Sequence, residues 1–368
     1  MLSAARRKLS VVSRATWEYS RSPHTRNAAP IGYVHARLTK SGNWKRYYIP
    51  LLAAFERSGY AVSCWPSPAF LDSPRSEDFG FPGIPWLKLS PIVPKAALLI
   101  TDDIEWARKK SRVKRSVCLL EQDQLVQTVS RNQVRLPFFV HPAIAISADT
   151  SLNHEATPSG KRDLRLVFVG NISDPAYKSA MLRDAFQLNN RDEIWTRMSE
   201  SHGDQVLLIR KWAEKEKLAR IDAPIVVVDS FKAGLTHAEY FDLLRRSEFF
   251  LAMPGIAVPF CHNLIESLSA GCIPVLQSSR WMDPLVFNDR SNCVQFESLG
   301  GLPDAIDFCL DAPEEVIAGM RGKVHEMWRD YLAPAAIVDR IERGIADSDH
   351  GFITLLIKTG NLPASLVR

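Results

Sequence analysis

From Ile31 onward, short apolar runs alternate with longer helical stretches, and the series occurs twice. IGYV (31–34), YAVSCW, ALLITDD (97–103), SVCLLE (116–121) and VRLPFFVHP (134–142) read as strands of a first series. LRLVFVGN (164–171), PIVVVDS (224–230), a strand over Phe249–Ala252, CIPVLQ and CVQF (293–296) form a second. Apolar runs separated by helices are the pattern of parallel sheets covered by helices, an α/β architecture. At 368 residues, 46% hydrophobic and 24% charged, the chain is long enough for two such domains with ordinary cores.

Between the two series lies Ser147–Asp163, SADTSLNHEATPSGKRD, small and polar without apolar periodicity, which reads as a linker. The expected division is a basic segment 1–30, a first Rossmann-like domain 31–146, the linker 147–163, a second Rossmann-like domain 164–345 and a C-terminal extension 346–368. In the first domain NWKRYYIPLLAAFERSG reads as a helix that Pro50 kinks or interrupts, with Gly59 near its end. Seven prolines between Pro66 and Pro94 mark a connection too long for a turn, expected as a lid, flap or rim. In the second domain, residues 176–219 and 297–345 read as mostly helical, and THAEYFDLLRRS carries a capping box from Thr236 to Glu239. Two open sheets joined this way leave a cleft at the carboxyl ends of their strands, where ligands bind such folds.

The stretch FFLAMPGIAVPFCHNLIESLSAGCIPVLQ, residues 249–277, is the most informative. Pro254 and Gly255 turn the chain at the carboxyl end of a strand. A helix follows with Leu264, Ile265 and Leu268 on one face and Gly271 where a left-handed C-terminal residue belongs. Its N-terminus, about 260–263, is set at the sheet's mouth with backbone N–H groups outward, an end that attracts phosphate oxygens. Glu266, one turn inside, is placed to accept two ribose hydroxyls. The plainer alternative is a generic strand–helix–strand unit with an incidental Glu.

FFLAMPG, PFCHNLIES and AGCIPVLQ resemble the nucleotide-sugar-binding segment of exostosin-type glycosyltransferases, with YFDLLRRSEFF before it and, more weakly, LVFVGN and FFVHP upstream. The resemblance implies a GT-B fold, two Rossmann-type open parallel-sheet domains facing each other across a cleft. It implies a donor site of Pro254, Gly255, Cys261, His262, Asn263 and Glu266, with Gly170 and Asn171 from the first strand turn. It also calls for a basic residue near the Pro-Gly turn and an Arg where Asn263 stands. Lys178, Arg183 and Lys232 are the candidates for the missing cation.

The chemistry so implied is glycosyl transfer from a nucleotide-sugar donor to a saccharide or lipid-linked acceptor in surface polysaccharide or glycoconjugate assembly, through an oxocarbenium-like transition state. A helix N-terminus and cations stabilise a diphosphate leaving group without a metal, and no D-x-D motif appears, so neither a metal nor a cofactor is expected. Candidate bases at strand ends of the first domain are His35, Asp102 and Asp103, then Glu121, with His141 near the end of that domain. Two other readings remain. One is a fucosyltransferase-like enzyme using GDP-fucose, although Ser267 stands where such enzymes place a Lys after the Glu; the other is a catalytically silent scaffold of GT-B shape.

Cys64, Cys118, Cys261, Cys272, Cys293 and Cys309 show no C-x-x-C and no paired His spacing, which points to reduced thiols rather than zinc or a disulfide framework. No run approaches a membrane span and no signal-peptide core is present, so a cytoplasmic protein is expected. Residues 1–30 hold six Lys or Arg against Glu18 alone, a frayed tail, a transit-like segment or a contact with an anionic inner membrane face. The cluster RKKSRVKR (108–115) lacks interleaved aromatics, and with a net charge of only +5 no nucleic-acid partner is expected.

Overall fold

The computed structural model describes residues 29–40, 45–71, 84–95, 97–112, 116–122, 129–146, 162–211, 223–256, 258–259, 261–277, 287–348 and 350–357. The basic N-terminus, nearly all of the linker, and much of the proline-rich connection lie outside them.

In chain order the strands are β1 (Tyr33–Leu38), β2 (Ala61–Pro66), β3 (Lys88–Leu89), β4 (Ala97–Thr101), β5 (Val117–Gln122), β6 (Gln133–Arg135), β7 (Leu164–Gly170), β8 (Val206–Ile209), β9 (Ile225–Asp229), β10 (Ser247–Leu251), β11 (Ile273–Gln277), β12 (Val294–Phe296) and β13 (Phe352–Ile357). Helices of eight or more residues are α1 (Lys45–Arg57), α2 (Ile104–Ser111), α3 (Arg191–His202), α4 (His237–Arg246), α5 (His262–Ser269), α6 (Leu302–Asp311), α7 (Glu314–Met327) and α8 (Pro334–Asp347). The protein is α/β, with two parallel sheets and helices.

Residues 29–146 and 334–357 form one unit and residues 162–333 the other. The first unit's sheet runs β3-β2-β1-β4-β5-β13-β6 with every pairing parallel. Helix α1 continues through Pro50, so the proline does not end it. Tyr47, Tyr48, Ile49, Leu51, Leu52 and Phe55 of this helix are all buried, and each such side chain removed from water contributes about 1.5–3 kcal/mol. That burial outweighs the cost of one missing helical hydrogen bond.

The first unit corrects the sequence reading in two places. VRLPFFVHP supplies only Val134 and Arg135 of the three-residue β6, while Lys88–Leu89 of the proline-rich connection pairs with β2. Further, α8 and β13 return to the first unit, so its boundary is not at 146 and the second unit ends before 345. FITLLI enters between β5 and β6, with Ile353, Leu355, Leu356 and Ile357 buried. Pairing between strands so distant in sequence leaves no local signature.

The second unit's sheet runs β12-β11-β10-β7-β9-β8, all parallel. Its core is the apolar run of β7, β9, β10 and β11, including Phe168, Phe249 and Phe250. VLLI at Val206–Ile209 is the edge strand β8, not the helix expected over 176–219. A four-residue apolar run has no period that separates the two states, and here the partner β9 decided. Thr236 and Glu239 form the expected capping box, and Gly271 takes φ +74 after α5.

The chain's first strand in each unit is flanked by its second or third strand on one side and its fourth on the other. The order therefore reverses direction between β1 and β4, and again between β7 and β10. Connections from such a pair of strands leave in opposite directions and open a crevice at the carboxyl ends.

Candidate functional site

The second unit's crevice is built from the ends of β10, β7 and β9. Gly170 and Asp229 stand opposite each other in the β7–β9 register. After β10 the backbone crosses to β11, with the Ala252 N–H donating to the Val275 carbonyl at 2.7 Å, and then turns at Pro254 and Gly255. The Gly255 N–H donates to the Val258 carbonyl at 3.1 Å. Cys261 is the N-cap of α5, and its side chain makes no capping bond. Instead the thiol bonds to Asn263 Oδ1, while His262 opens the helix. The helix N-terminus thus stands at the mouth of the sheet, and the buried Leu264, Ile265 and Leu268 hold its other face on the core.

Glu266 is 4% exposed. It lies beside Tyr240 of α4, whose phenol is raised well above its ordinary pKa by desolvation first and by the Glu266 carboxylate second. The pair couples α4 to α5 behind the mouth.

The loop after β7 is self-bonded. Asn171 Oδ1 accepts from the Ser173 and Asp174 N–H groups at 3.0 and 3.1 Å. The Ser173 hydroxyl bonds to Asp229 Oδ2. Asp229 is fully buried, and among the described residues its other carboxylate oxygen has no hydrogen-bond partner.

The three cations expected for a diphosphate are otherwise engaged or peripheral. Lys178 pairs with Asp192 at 3.4 Å and Arg183 pairs with Glu193. Lys232 is exposed on the short helix Ser230–Ala233 after β9. The residue sequence reasoning missed is Arg191, 2% exposed. Its Nη1 donates to the Asn171 carbonyl at 2.7 Å, and its Nε and Nη2 donate to the Pro254 carbonyl at 3.2 and 2.8 Å. A buried guanidinium from α3 thus lies against the Pro-Gly segment. A signal for it existed. Asn190 and Glu193 form a capping box, which marks Arg191 as the first helical residue, where the helix dipole disfavours a cation.

The first unit's candidates serve its own crevice. Asp102, directly after β4, accepts from the Thr39 N–H at 2.8 Å, the Thr39 hydroxyl at 2.7 Å, the Lys40 N–H at 2.8 Å and the Tyr48 hydroxyl at 2.8 Å. Asp103 caps α2 through the Trp106 N–H at 3.0 Å and pairs with Arg37 at 3.2 Å. His35 lies inside β1 rather than beyond it, 1% exposed, with Nδ1 3.0 Å from the Ser63 hydroxyl on β2. His141 caps a short helix, Nδ1 accepting from the Ala143 N–H at 3.3 Å, and Glu121 is half-buried within β5. Asp102 and Asp103 together hold the β1 and β4 ends, and His35 stands within β1 opposite Leu99 of β4.

All six cysteines are free. Burial pushes the Cys64, Cys118, Cys272, Cys293 and Cys309 thiols up, to about 11 for Cys272 and about 12 for Cys293. Among the described residues no helix is long and apolar enough to cross a membrane.

No family model matches the chain, and no curated protein matches it. Solved structures similar to it include Anabaena Alr3699/HepE in complex with UDP, at 11% identity over 86% of this chain and 100% of that one, TM-score 0.45. A glycosyltransferase from Rickettsia africae is similar at 8% identity over 86% and 98%, TM-score 0.47. WaaG, a glycosyltransferase involved in lipopolysaccharide biosynthesis, is similar at 12% identity over 83% and 99%, TM-score 0.39.

Proposed function

We propose that this chain is a glycosyltransferase of GT-B architecture and exostosin-like donor site, which moves a sugar from a nucleotide-sugar donor to a saccharide or lipid-linked acceptor. The donor's diphosphate is assigned to the N-terminus of α5 and the turns after β7 and β10, and its ribose to Glu266. One observation carries the reading: α5 begins at the carboxyl end of β10, beside the point where strand order reverses, with a buried carboxylate one turn inside it. That arrangement offers N–H donors to a leaving diphosphate, whose charge grows as the glycosidic bond breaks.

Calorimetric titration with UDP, GDP and their sugar conjugates, followed by an assay of donor hydrolysis and transfer, tests it. Wild type is expected to bind one diphosphate family and to turn it over slowly without acceptor, and Glu266→Ala to lose donor affinity about tenfold or more. No binding of any member of the panel sinks the reading. Binding without hydrolysis or transfer favours the silent scaffold instead.

A further inference from the structure

Arg191 carries two costs that nothing structural around it offsets with charge. A guanidinium 2% exposed has lost its water, and as the first residue of α3 it stands at the positive end of a helix. Among the described residues no carboxylate lies within ion-pairing distance of it. Its compensation is by dipoles and ring faces. It bonds to the Asn171 and Pro254 carbonyls, has Cys261 Sγ 3.7 Å from Nη2, and lies over the Tyr177 ring at 3.8 Å with the Phe168 ring at 5.4 Å. The neighbouring acids Asp192 and Glu193 are spent on Lys178 and Arg183. A full positive charge thus remains at the point where the β7 and β10 loops meet, and the planar fork that carries it fixes how far apart those loops stand.

We propose that Arg191 is a positioning residue for a diphosphate: it sets the spacing of the loops after β7 and β10 and makes that mouth prefer a nucleoside diphosphate to its monophosphate. The proposal rests on the donor-site reading above. A lysine at this position keeps the charge but offers one compact ammonium, which cannot hold both carbonyls in the fork geometry.

The test is titration of wild type and Arg191→Lys with UDP against UMP and GDP against GMP, with thermal melting of both proteins. Arg191→Lys is expected to weaken the diphosphate about tenfold while the monophosphate changes about twofold or less, so the preference collapses in a protein that still melts cooperatively. Equal losses for both nucleotides mark a general packing role and overturn the proposal, as does no loss. If wild type binds none of the four, the donor-site reading has failed, an outcome distinct from an unchanged preference. Should Arg191→Lys not fold, Tyr177→Leu is decisive. It removes the stacked ring from a half-buried turn, with an expected drop in preference of about threefold; an unchanged preference overturns the role.

Discussion

The carboxylate of Asp102 accepts the backbone N–H of Thr39 at 2.8 Å, joining the end of β4 to the end of β1 across the place where the first sheet reverses its strand order. Arg191 does the converse in the second unit, where its guanidinium joins the carbonyls of Asn171 and Pro254 beyond β7 and β10. A crevice between diverging strands leaves backbone groups without ladder partners. One unit gathers N–H donors on a buried anion, the other gathers carbonyls on a buried cation.

Asp102→Asn keeps the shape and removes the charge. An amide offers one acceptor oxygen, so of the Thr39, Lys40 and Tyr48 donors at least one is left facing an NH2 group. The expected loss is about 2–4 kcal/mol of stability, read by urea unfolding, and a loss below measurement error contradicts the clamp.

Asp229→Asn is expected to act in the opposite direction. Among the described residues Asp229, fully buried, has a single hydroxyl partner and one unpartnered oxygen, so neutralising it lowers a desolvation cost while Ser173 retains an acceptor. Stability should rise by about 1 kcal/mol in thermal or urea melts. A destabilised variant means that the carboxylate charge is compensated in the fold.

Glu248 and Arg321 form a buried ion pair at the start of β10, 3.1 Å apart. Burial raises the Glu248 pKa from its usual 4.5, and the opposing pull of Arg321 is smaller. A raised folded-state pKa means that the folded protein holds the proton more tightly. Its stabilising contribution is complete below pH 4.5 and is lost as pH rises through the folded value. Glu248→Gln should therefore gain stability relative to wild type as pH is raised from 4 toward neutrality. Denaturation midpoints of both proteins across that range check the sign.

Gly170 ends β7 with no room for a side chain, since a Cβ there would sit 2.7 Å from the Phe168 ring. That ring is itself buried and lies under Arg191. Gly170→Ala should cost about 1–3 kcal/mol by displacing it. A variant as stable as wild type in chemical denaturation shows that the ring moves freely.

Much of the second unit was legible locally. The Thr236–Glu239 capping box and Gly271 each state a backbone geometry within a few residues, and those geometries are present. The strand end, the Cys261 N-cap and the helix that follows it were legible as a contiguous segment for the same reason. The cation was not. Lys178 and Arg183 are nearest along the chain to the β7 turn, yet each sits beside an acid of α3 and is drawn outward to it.

The sequence by itself determined an α/β protein with two parallel-sheet series and the helix start after Pro-Gly, because periodicity, caps and turn residues act over a few neighbouring positions. Tertiary structure alone decided that FITLLI would enter the first sheet between β5 and β6, and that Arg191 would meet Pro254 from 63 residues away. Both depend on which buried groups find partners once the sheets exist. That choice is made by distance in space, which the order of residues does not state.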